Sequence, residues 1–323
     1  MEFDPVQALV FDGHLDYRAD YPLPVVTPDE SIVRVRLAGI CGTDLELTRG
    51  YMAFRGVPGH EFVGEVVQSA DRAMLGRRVA GEINAGCGRA GCRWCGGAMA
   101  RHCPDRTVLG ILGRDGAFAT MLRLPDENLI PVPDSISDEL AVFIEPLAAA
   151  YEIFEQTHLP RNRTIAVLGD GRLGATVALA LRAEGYVAIV LGRHREKLGR
   201  LAALGLDAQM ESDFAGRLEV VVDCTGKSAG LRRALALVNP RGTIILKSTA
   251  AAGAALNLAP MVINEITVIG SRCGRFAPAI AAMEAGRIDL RPLIDGTFVL
   301  DEWRRAFAAA ENSATFKILL RPS

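Results

Sequence analysis

Alternating apolar and polar residues dominate the first part of the chain. Between about residue 6 and residue 130, short runs such as SIVRVRLAG, FVGEVV and GAFATMLRL are separated by glycine, proline and aspartate. Alternation with a period of two is typical of half-buried β-strands. This region therefore predicts a compact, mostly β domain.

The period changes after about residue 156, where apolar runs begin to alternate with helical patterns. The strand-like runs are TIAVLG, VAIVL, DAQM, EVVVDC, TIILKS and EITVIGS, and the helical patterns include RLGATVALALRAEG and REKLGRLAALG. Such alternation predicts an α/β domain built on a doubly wound parallel sheet. The final segment, GTFVLDEWRRAFAAAENSATFKILLRPS, has the pattern strand, helix, strand, and we assign it to the first domain.

Length and composition fit a globular protein of two domains. The chain has 323 residues, half of them hydrophobic, and a formal net charge of −2. No basic run suggests a nucleic-acid partner, and no apolar stretch reaches the roughly 18 residues of a membrane span. The acidic start, MEFDPVQALVFDG, does not resemble a signal peptide. We therefore expect a cytoplasmic protein whose seven cysteines are not a disulfide framework.

A glycine-rich turn joins the first strand of the second domain to its helix. In TIAVLGDGRLGATVALA, Gly169, Gly171 and Gly174 form the pattern G-x-G-x-x-G. These glycines allow a tight turn, close approach of the backbone to a pyrophosphate, and close packing of helix on strand. We therefore expect a nicotinamide dinucleotide to bind here, with Arg172 and Leu173 as part of the binding turn. A purely structural turn is the alternative.

The end of the next strand indicates which dinucleotide binds. NAD-binding folds carry an acid about 20 residues further on, which takes the ribose hydroxyls. Here LGRHREKL places Gly192, Arg193, His194 and Arg195 instead. Because a guanidinium can hold a 2′-phosphate, we favour NADP over NAD. The alternative is that the two arginines are solvated charges at a helix start.

Four cysteines fall within one short segment, CGRAGCRWCGGAMARHC. Cys87, Cys92, Cys95 and Cys103 supply four thiolates, which form a closed tetrahedral set for zinc. This spacing predicts a structural zinc site. A redox-active or disulfide-bonded lobe is the alternative, and a reducing compartment disfavours it.

A second candidate metal site combines residues that are distant in sequence. Cys41 lies in AGICGTDLEL, and His60 and Glu61 follow a glycine in VPGHEFVGEVV. Glu145 lies in the apolar segment FIEPLAAAYE, where an unpaired charge is costly to bury without a cation. We expect these residues to hold a metal ion. The alternatives are a buried or nucleophilic Cys41, a core histidine, and an exposed acid at a helix start.

These motifs occur in the order found in the zinc-dependent medium-chain dehydrogenase/reductase superfamily, and the chain resembles its alcohol, sorbitol, threonine and glucose dehydrogenase branch. The resemblance implies a GroES-like β catalytic domain formed by residues 1–146 and 287–323, with a structural zinc lobe at 87–103. It also implies a Rossmann domain formed by residues 147–286, an active site in the cleft between the domains, and a homodimer or homotetramer.

The resemblance also implies roles for single residues. Cys41 and His60 become ligands of a catalytic zinc, which makes two zinc ions per chain, and the two candidate glutamates bind it directly or through water. Asp44 would orient His60, and Thr43 would relay the proton of the substrate. Glu46 stands where many alcohol dehydrogenases have a relay histidine, so proton release differs at that end.

The expected function is transfer of a hydride between NADP(H) and a secondary alcohol, polyol or sugar. One departure from the family is the first cysteine step of the lobe, which is C-x4-C instead of C-x2-C. The alternatives are a zinc-free NADPH-dependent quinone or enoyl reductase and a non-catalytic NADPH-binding protein on the same fold.

Overall fold

The computed structural model describes residues 5–97, 99–249 and 256–322. It forms two compact units. The first unit comprises Met1–Glu145 and Leu290–Ser323, and the second comprises Pro146–Asp289.

The strands are numbered in chain order. They are β1 (Val6–Phe11), β2 (Leu15–Tyr21), β3 (Glu30–Gly39), β4 (Glu61–Gln68), β5 (Arg78–Gly81), β6 (Asn84–Ala85), β7 (Thr107–Leu109), β8 (Gly113–Arg114), β9 (Met121–Pro125), β10 (Leu129–Pro131), β11 (Ile165–Leu168), β12 (Ala188–Gly192), β13 (Asp207–Met210), β14 (Leu218–Asp223), β15 (Val238–Leu246), β16 (Thr267–Gly270), β17 (Ile294–Val299) and β18 (Lys317–Arg321).

The helices are numbered in the same way, and short 3₁₀ turns accompany them. They are α1 (Gly42–Leu47), α2 (Asp138–Ala141), α3 (Ile144–Gln156), α4 (Arg172–Ala183), α5 (Arg195–Ala203), α6 (Ser228–Leu237), α7 (Ala259–Ile263), α8 (Phe276–Glu284) and α9 (Trp303–Glu311). None of the helices in the described ranges is both long and apolar enough to cross a membrane.

The first unit is built around one large sheet. Its strands follow the order β10-β5-β4-β3-β18-β17, and β9 also pairs with β3. Strand β3 is antiparallel to β4 and to β18, so the C-terminal strand lies directly beside the strand that leads to Cys41. β1 pairs with β2 in a hairpin, and β6, β7 and β8 form a small separate sheet. The predicted β-rich domain is confirmed.

The second unit is a six-stranded parallel sheet in the order β13-β12-β11-β14-β15-β16. The central strand β11 is fully buried, and its helix α4 buries the run from Gly174 to Leu181. The strand order reverses direction beside β11, between β12 and β14, and a doubly wound sheet binds its ligands at such a reversal. The predicted doubly wound parallel sheet is confirmed, and the glycine-rich turn lies at that point.

Candidate functional site

Cys41 lies at the turn between β3 and α1, directly before the helix. Its backbone N–H donates a hydrogen bond to Asp44 Oδ2 at 2.7 Å, so a side chain from the first helical turn holds the helix start in place. The Cys41 thiol lies 3.9 Å from the hydroxyl oxygen of Thr43. The turn therefore presents a thiol and a hydroxyl side by side.

His60 and Glu61 are buried at the start of β4. The fully buried Asp44 carboxylate lies 3.2 Å from His60 Nδ1 and accepts a hydrogen bond from the Gly59 N–H. Burial lowers the pKa of His60, but Asp44 and Cys41 raise it, and the balance lies well above the usual value. One ligand atom from each of Cys41, His60 and Glu61 lies within 4.8 Å of the others. The structure thus brings three of the four expected ligands together.

The carboxylate of Glu61 pairs with Lys317, which is only 2% exposed and comes from β18. The Lys317 ammonium also lies 5.5 Å from the centroid of the Phe143 ring. Lys317 was not predicted as a site residue, although a single lysine inside the apolar run FKILL was a usable signal. Gly39 was also missed, and a Cβ there would lie 2.6 Å from Glu61 Oε2. The position therefore needs a glycine for the carboxylate to fit.

Glu145 and Glu46 lie outside the cluster of three ligands among the described residues. Burial raises the pKa of Glu145 to about 7; the positive charges of His60 and Lys317 act against this shift. Glu46 is partly exposed. Its Oε1 forms an ion pair at 2.8 Å with Nη1 of Arg49, which lies three residues further along the chain. Glu145 therefore belongs to the electrostatic surroundings of the cluster, and Glu46 is held by a surface arginine.

The cluster of Cys41, His60 and Glu61 suits zinc, because thiolate, imidazole and carboxylate are the ligand types that zinc takes. His60 Nδ1 faces Asp44, which leaves Nε2 as the ligand atom. A carboxylate on the second nitrogen is the usual support for a metal-bound histidine. Three protein ligands also leave room for substrate in a tetrahedral site. The residues present fit a catalytic zinc.

The four cysteines of the lobe form the second cluster. Their sulfur atoms all lie within 4.8 Å of one another; Cys87 and Cys95 are 3.7 Å apart, and Cys92 and Cys103 are 3.9 Å apart. Four thiolates at about 2.3 Å from a zinc ion are separated by about 3.8 Å in a tetrahedron. Since a disulfide needs sulfur atoms about 2.05 Å apart, the lobe matches a closed zinc site and not a disulfide.

The glycine-rich turn lies between β11 and α4. Gly169 has a φ of +113°, and a Cβ at Gly174 would lie 1.9 Å from the Gly169 carbonyl oxygen. A Cβ at Gly171 meets no described atom within 4 Å, so its backbone faces open space at the N-terminus of α4. Arg172 and Leu173 are the first two residues of that helix. This cradle fits the diphosphate of a dinucleotide.

The end of β12 is more constrained than the sequence suggested. Arg193 donates from Nε to Glu211 at 2.9 Å, while its side chain stays 64% exposed. Gly192 ends the strand, and His194 precedes α5. Asp170, from the glycine turn, accepts hydrogen bonds from the backbone N–H groups of residues 193 and 194. Asp170 was not predicted; its signal was an acid between the first two glycines of the motif.

Two sequence families match the chain. Residues 27–134 match the alcohol dehydrogenase GroES-like domain, and residues 173–285 match the zinc-binding dehydrogenase domain. An L-threonine 3-dehydrogenase of Rhizobium etli is 26% identical over 329 residues, covering 93% of both proteins. A sorbitol dehydrogenase of Halalkalibacterium halodurans is 25% identical over 334 residues, covering 96% of both proteins.

Solved structures show the same fold over nearly the whole chain. An alcohol dehydrogenase of Escherichia coli complexed with NADH has a TM-score of 0.87 at 25% identity, covering 98% of this chain and 99% of that one. A putative zinc-binding dehydrogenase of Sinorhizobium meliloti bound to NADP has the same TM-score, identity and coverage. Both nicotinamide cofactors therefore occur among similar structures.

Proposed function

Because the chain belongs to the zinc-dependent medium-chain dehydrogenase/reductase superfamily, we propose that it interconverts a secondary alcohol, polyol or sugar and the corresponding carbonyl compound with NADP(H). It is an NAD(P)-dependent zinc alcohol dehydrogenase. The observation that carries this proposal is the cluster formed by a partly buried Cys41 with the buried His60 and Glu61, which lies apart in sequence from the four-cysteine lobe.

A zinc ion at this cluster would supply a Lewis acid that polarises the oxygen of the alcohol or carbonyl group. Cys41 and His60 hold the ion, and Asp44 keeps the His60 ring in one orientation and one tautomer. Glu61 is the third ligand in this proposal because its carboxylate is grouped with the other two. Glu145 is the alternative carboxylate, bound directly or through water.

Thr43 moves the proton in this proposal. When an alcohol is oxidised, its Oγ1 accepts the hydroxyl proton while its own hydrogen passes on toward solvent, and both transfers reverse when a carbonyl is reduced. Its place beside the Cys41 thiol supports this role. Glu46 lies one turn further along α1, where Arg49 holds its carboxylate, and in this proposal that carboxylate passes the proton to solvent.

The preference for NADP rests on the end of β12. Gly192 supplies no side chain to take the ribose hydroxyls, and Arg193 is exposed enough to meet a 2′-phosphate. Arg193→Ala should weaken binding of NADPH by about 10- to 100-fold, the effect of a charged hydrogen bond, and change NADH binding little. Fluorescence titration with both reduced cofactors measures this, with exposed Arg217→Ala as control. Equal affinities of the native protein for both cofactors would contradict the preference.

The proposal includes a homodimer or homotetramer in a reducing cytoplasm. Strand β16 is an edge of its sheet, and the neighbouring helix α7 exposes Val262 and Ile263. An edge strand beside exposed apolar side chains suits pairing with a second copy. Light scattering should show a multiple of 34.6 kDa, and Ile263→Asp should shift the mass toward the monomer. A native protein with the mass of a monomer would contradict the proposed homodimer or homotetramer.

The decisive experiment is a substrate screen. Secondary alcohols, polyols and aldoses are each incubated with NADP and with NAD, and nicotinamide absorbance is followed in native protein and in Cys41→Ser. Zinc-dependent oxidation that the variant lacks is the expected result. Activity that survives the substitution would favour a zinc-free reductase, and binding of NADPH with no turnover on any substrate would favour a non-catalytic protein.

A further inference from the structure

The glycine turn carries a buried carboxylate whose acceptor capacity is largely used. Asp170 is 5% exposed. Its Oδ2 accepts the backbone N–H groups of Arg193 and His194, both at 2.7 Å, and its Oδ1 faces His194 Nδ1 at 2.9 Å. A carboxylate has about four acceptor positions, so one remains. That is too few to hold both ribose hydroxyls of NAD.

Asp170 also occupies the space next to the end of β12. A Cβ on Gly192 would lie 2.4 Å from Asp170 Oδ2 and 2.5 Å from its Cβ. The first carbon of an acidic side chain at position 192 would therefore clash with Asp170. The carboxylate of the glycine turn therefore excludes the ribose-binding acid of the usual NAD site.

The contact with Asp170 fixes the orientation of the His194 ring. Since Nδ1 faces the carboxylate, Nε2 lies on the opposite side of the ring, and the side chain is 47% exposed. When both ring nitrogens carry a proton, Nδ1–H donates to Asp170 and Nε2–H is available to donate to a phosphate oxygen. Arg193 lies next to it in sequence, and Glu211 holds that guanidinium in place.

We propose that Asp170 is a positioning residue for cofactor choice, because it holds the imidazole of His194 and the backbone at Arg193 in place to bind the 2′-phosphate of NADP(H). This inference rests on the proposed preference for NADP. Asp170 does not contact the phosphate itself; it acts through His194 and through the backbone at Arg193. Its negative charge is compensated by the three donors that surround it.

The experiment compares Asp170→Asn with the native protein, using 2′,5′-ADP and 5′-AMP as probes in isothermal titration. Asparagine keeps an oxygen for the backbone N–H groups but carries no charge to pair with the imidazole. Asp170→Asn should weaken 2′,5′-ADP binding about tenfold and 5′-AMP binding by less than about twofold. The exposed Asp207→Asn is the matched control and should change neither. In a His194→Ala background, Asp170→Asn should have no further effect on the ratio of the two affinities.

Two results would overturn the inference alone. They are an unchanged ratio of the two affinities in the variant, which indicates a merely structural carboxylate, and stronger binding of 2′,5′-ADP by the variant, which indicates that Asp170 repels phosphate. A native protein that binds both probes equally, or binds neither, overturns the preference for NADP and this inference with it. A native preference for 2′,5′-ADP with an unchanged ratio in the variant leaves the preference standing and removes Asp170 from it.

Discussion

The two cysteine-containing clusters of the first unit differ in ligand type, in surroundings and in the stretch of chain that supplies them. The lobe takes four identical thiols from 17 consecutive residues, and Cys87, Cys92 and Cys95 are only partly buried. The other cluster takes a thiol, an imidazole and a carboxylate from two elements, and its His60 and Glu61 are buried. Four thiolates fill all four coordination positions of a zinc ion, so that ion has a structural role. Three protein ligands leave the fourth position open for substrate.

Buried charged side chains lie against the cluster of Cys41, His60 and Glu61. Asp44 lies against His60, and Lys317 lies against Glu61. His60 and Glu61 thus each face a group of opposite charge, which lowers the cost of burying them. The supporting residues of the mixed cluster are therefore as necessary as its ligands, while the lobe depends mainly on its four sulfurs.

Replacing one cysteine in each cluster should have the largest effects, on turnover in one case and on stability in the other. Cys41→Ser should abolish measurable turnover and leave the protein folded, because an open site loses a ligand. Cys95→Ser should lower stability by several kcal/mol or more, because the binding free energy of a structural zinc is folding free energy. Turnover and thermal unfolding of both variants test this. Loss of folding in Cys41→Ser, or an unchanged unfolding temperature in Cys95→Ser, would break the distinction.

Removal of the buried ammonium should be the next largest effect. Lys317→Met leaves Glu61 buried without its partner and should cost about 3–5 kcal/mol in zinc-depleted protein. The exposed Lys227→Met is the control, and Lys317→Met combined with Glu61→Gln should recover most of the loss. Urea unfolding measures these values. A loss below about 1 kcal/mol in the absence of metal, the size of an exposed ion pair, would show that the pair does not hold the site.

Thr43→Val keeps the shape of the side chain and removes its hydroxyl. Turnover should fall about 100-fold, the contribution of a positioned group in proton transfer, while zinc content stays native. Thr48→Val is the control for the substitution itself, because Thr48 directly follows the same helix and its hydroxyl donates to the Leu45 carbonyl. Near-native turnover, with alcohol oxidation limiting the rate, would remove Thr43 from the proton route.

The smallest effect is expected from Gly39→Ala. The added methyl group would meet Glu61 Oε2 at 2.6 Å and Val142 Cγ1 at 2.8 Å, so the variant should lose about 1–3 kcal/mol through overpacking. Gly97→Ala in the lobe is the control, since a Cβ there meets no described atom within 4 Å. Chemical denaturation measures both. A Gly39→Ala protein as stable as the control would mean that the Glu61 carboxylate can shift to make room for the methyl group.

The sequence was most informative where neighbouring residues act together. The parallel sheet, the glycine turn and the spacing of the four cysteines follow from local periods and short motifs. Lys317 was missed because its pairing with Glu61 depends on β18 lying near β4, a contact across 256 residues of sequence. Asp170 was missed because the motif fixes its glycines and not the residues between them. Contacts between side chains that are far apart in sequence can be identified only once the fold is known.

We propose that the chain holds two metal centres with different tasks. Elemental analysis of protein purified without chelators tests it most directly, on native protein, Cys41→Ser and Cys95→Ser. We expect two zinc ions per chain in the native protein and one in Cys41→Ser, with the remaining ion in the lobe and no activity. At most one zinc ion in the native protein, or two in Cys41→Ser, would contradict it.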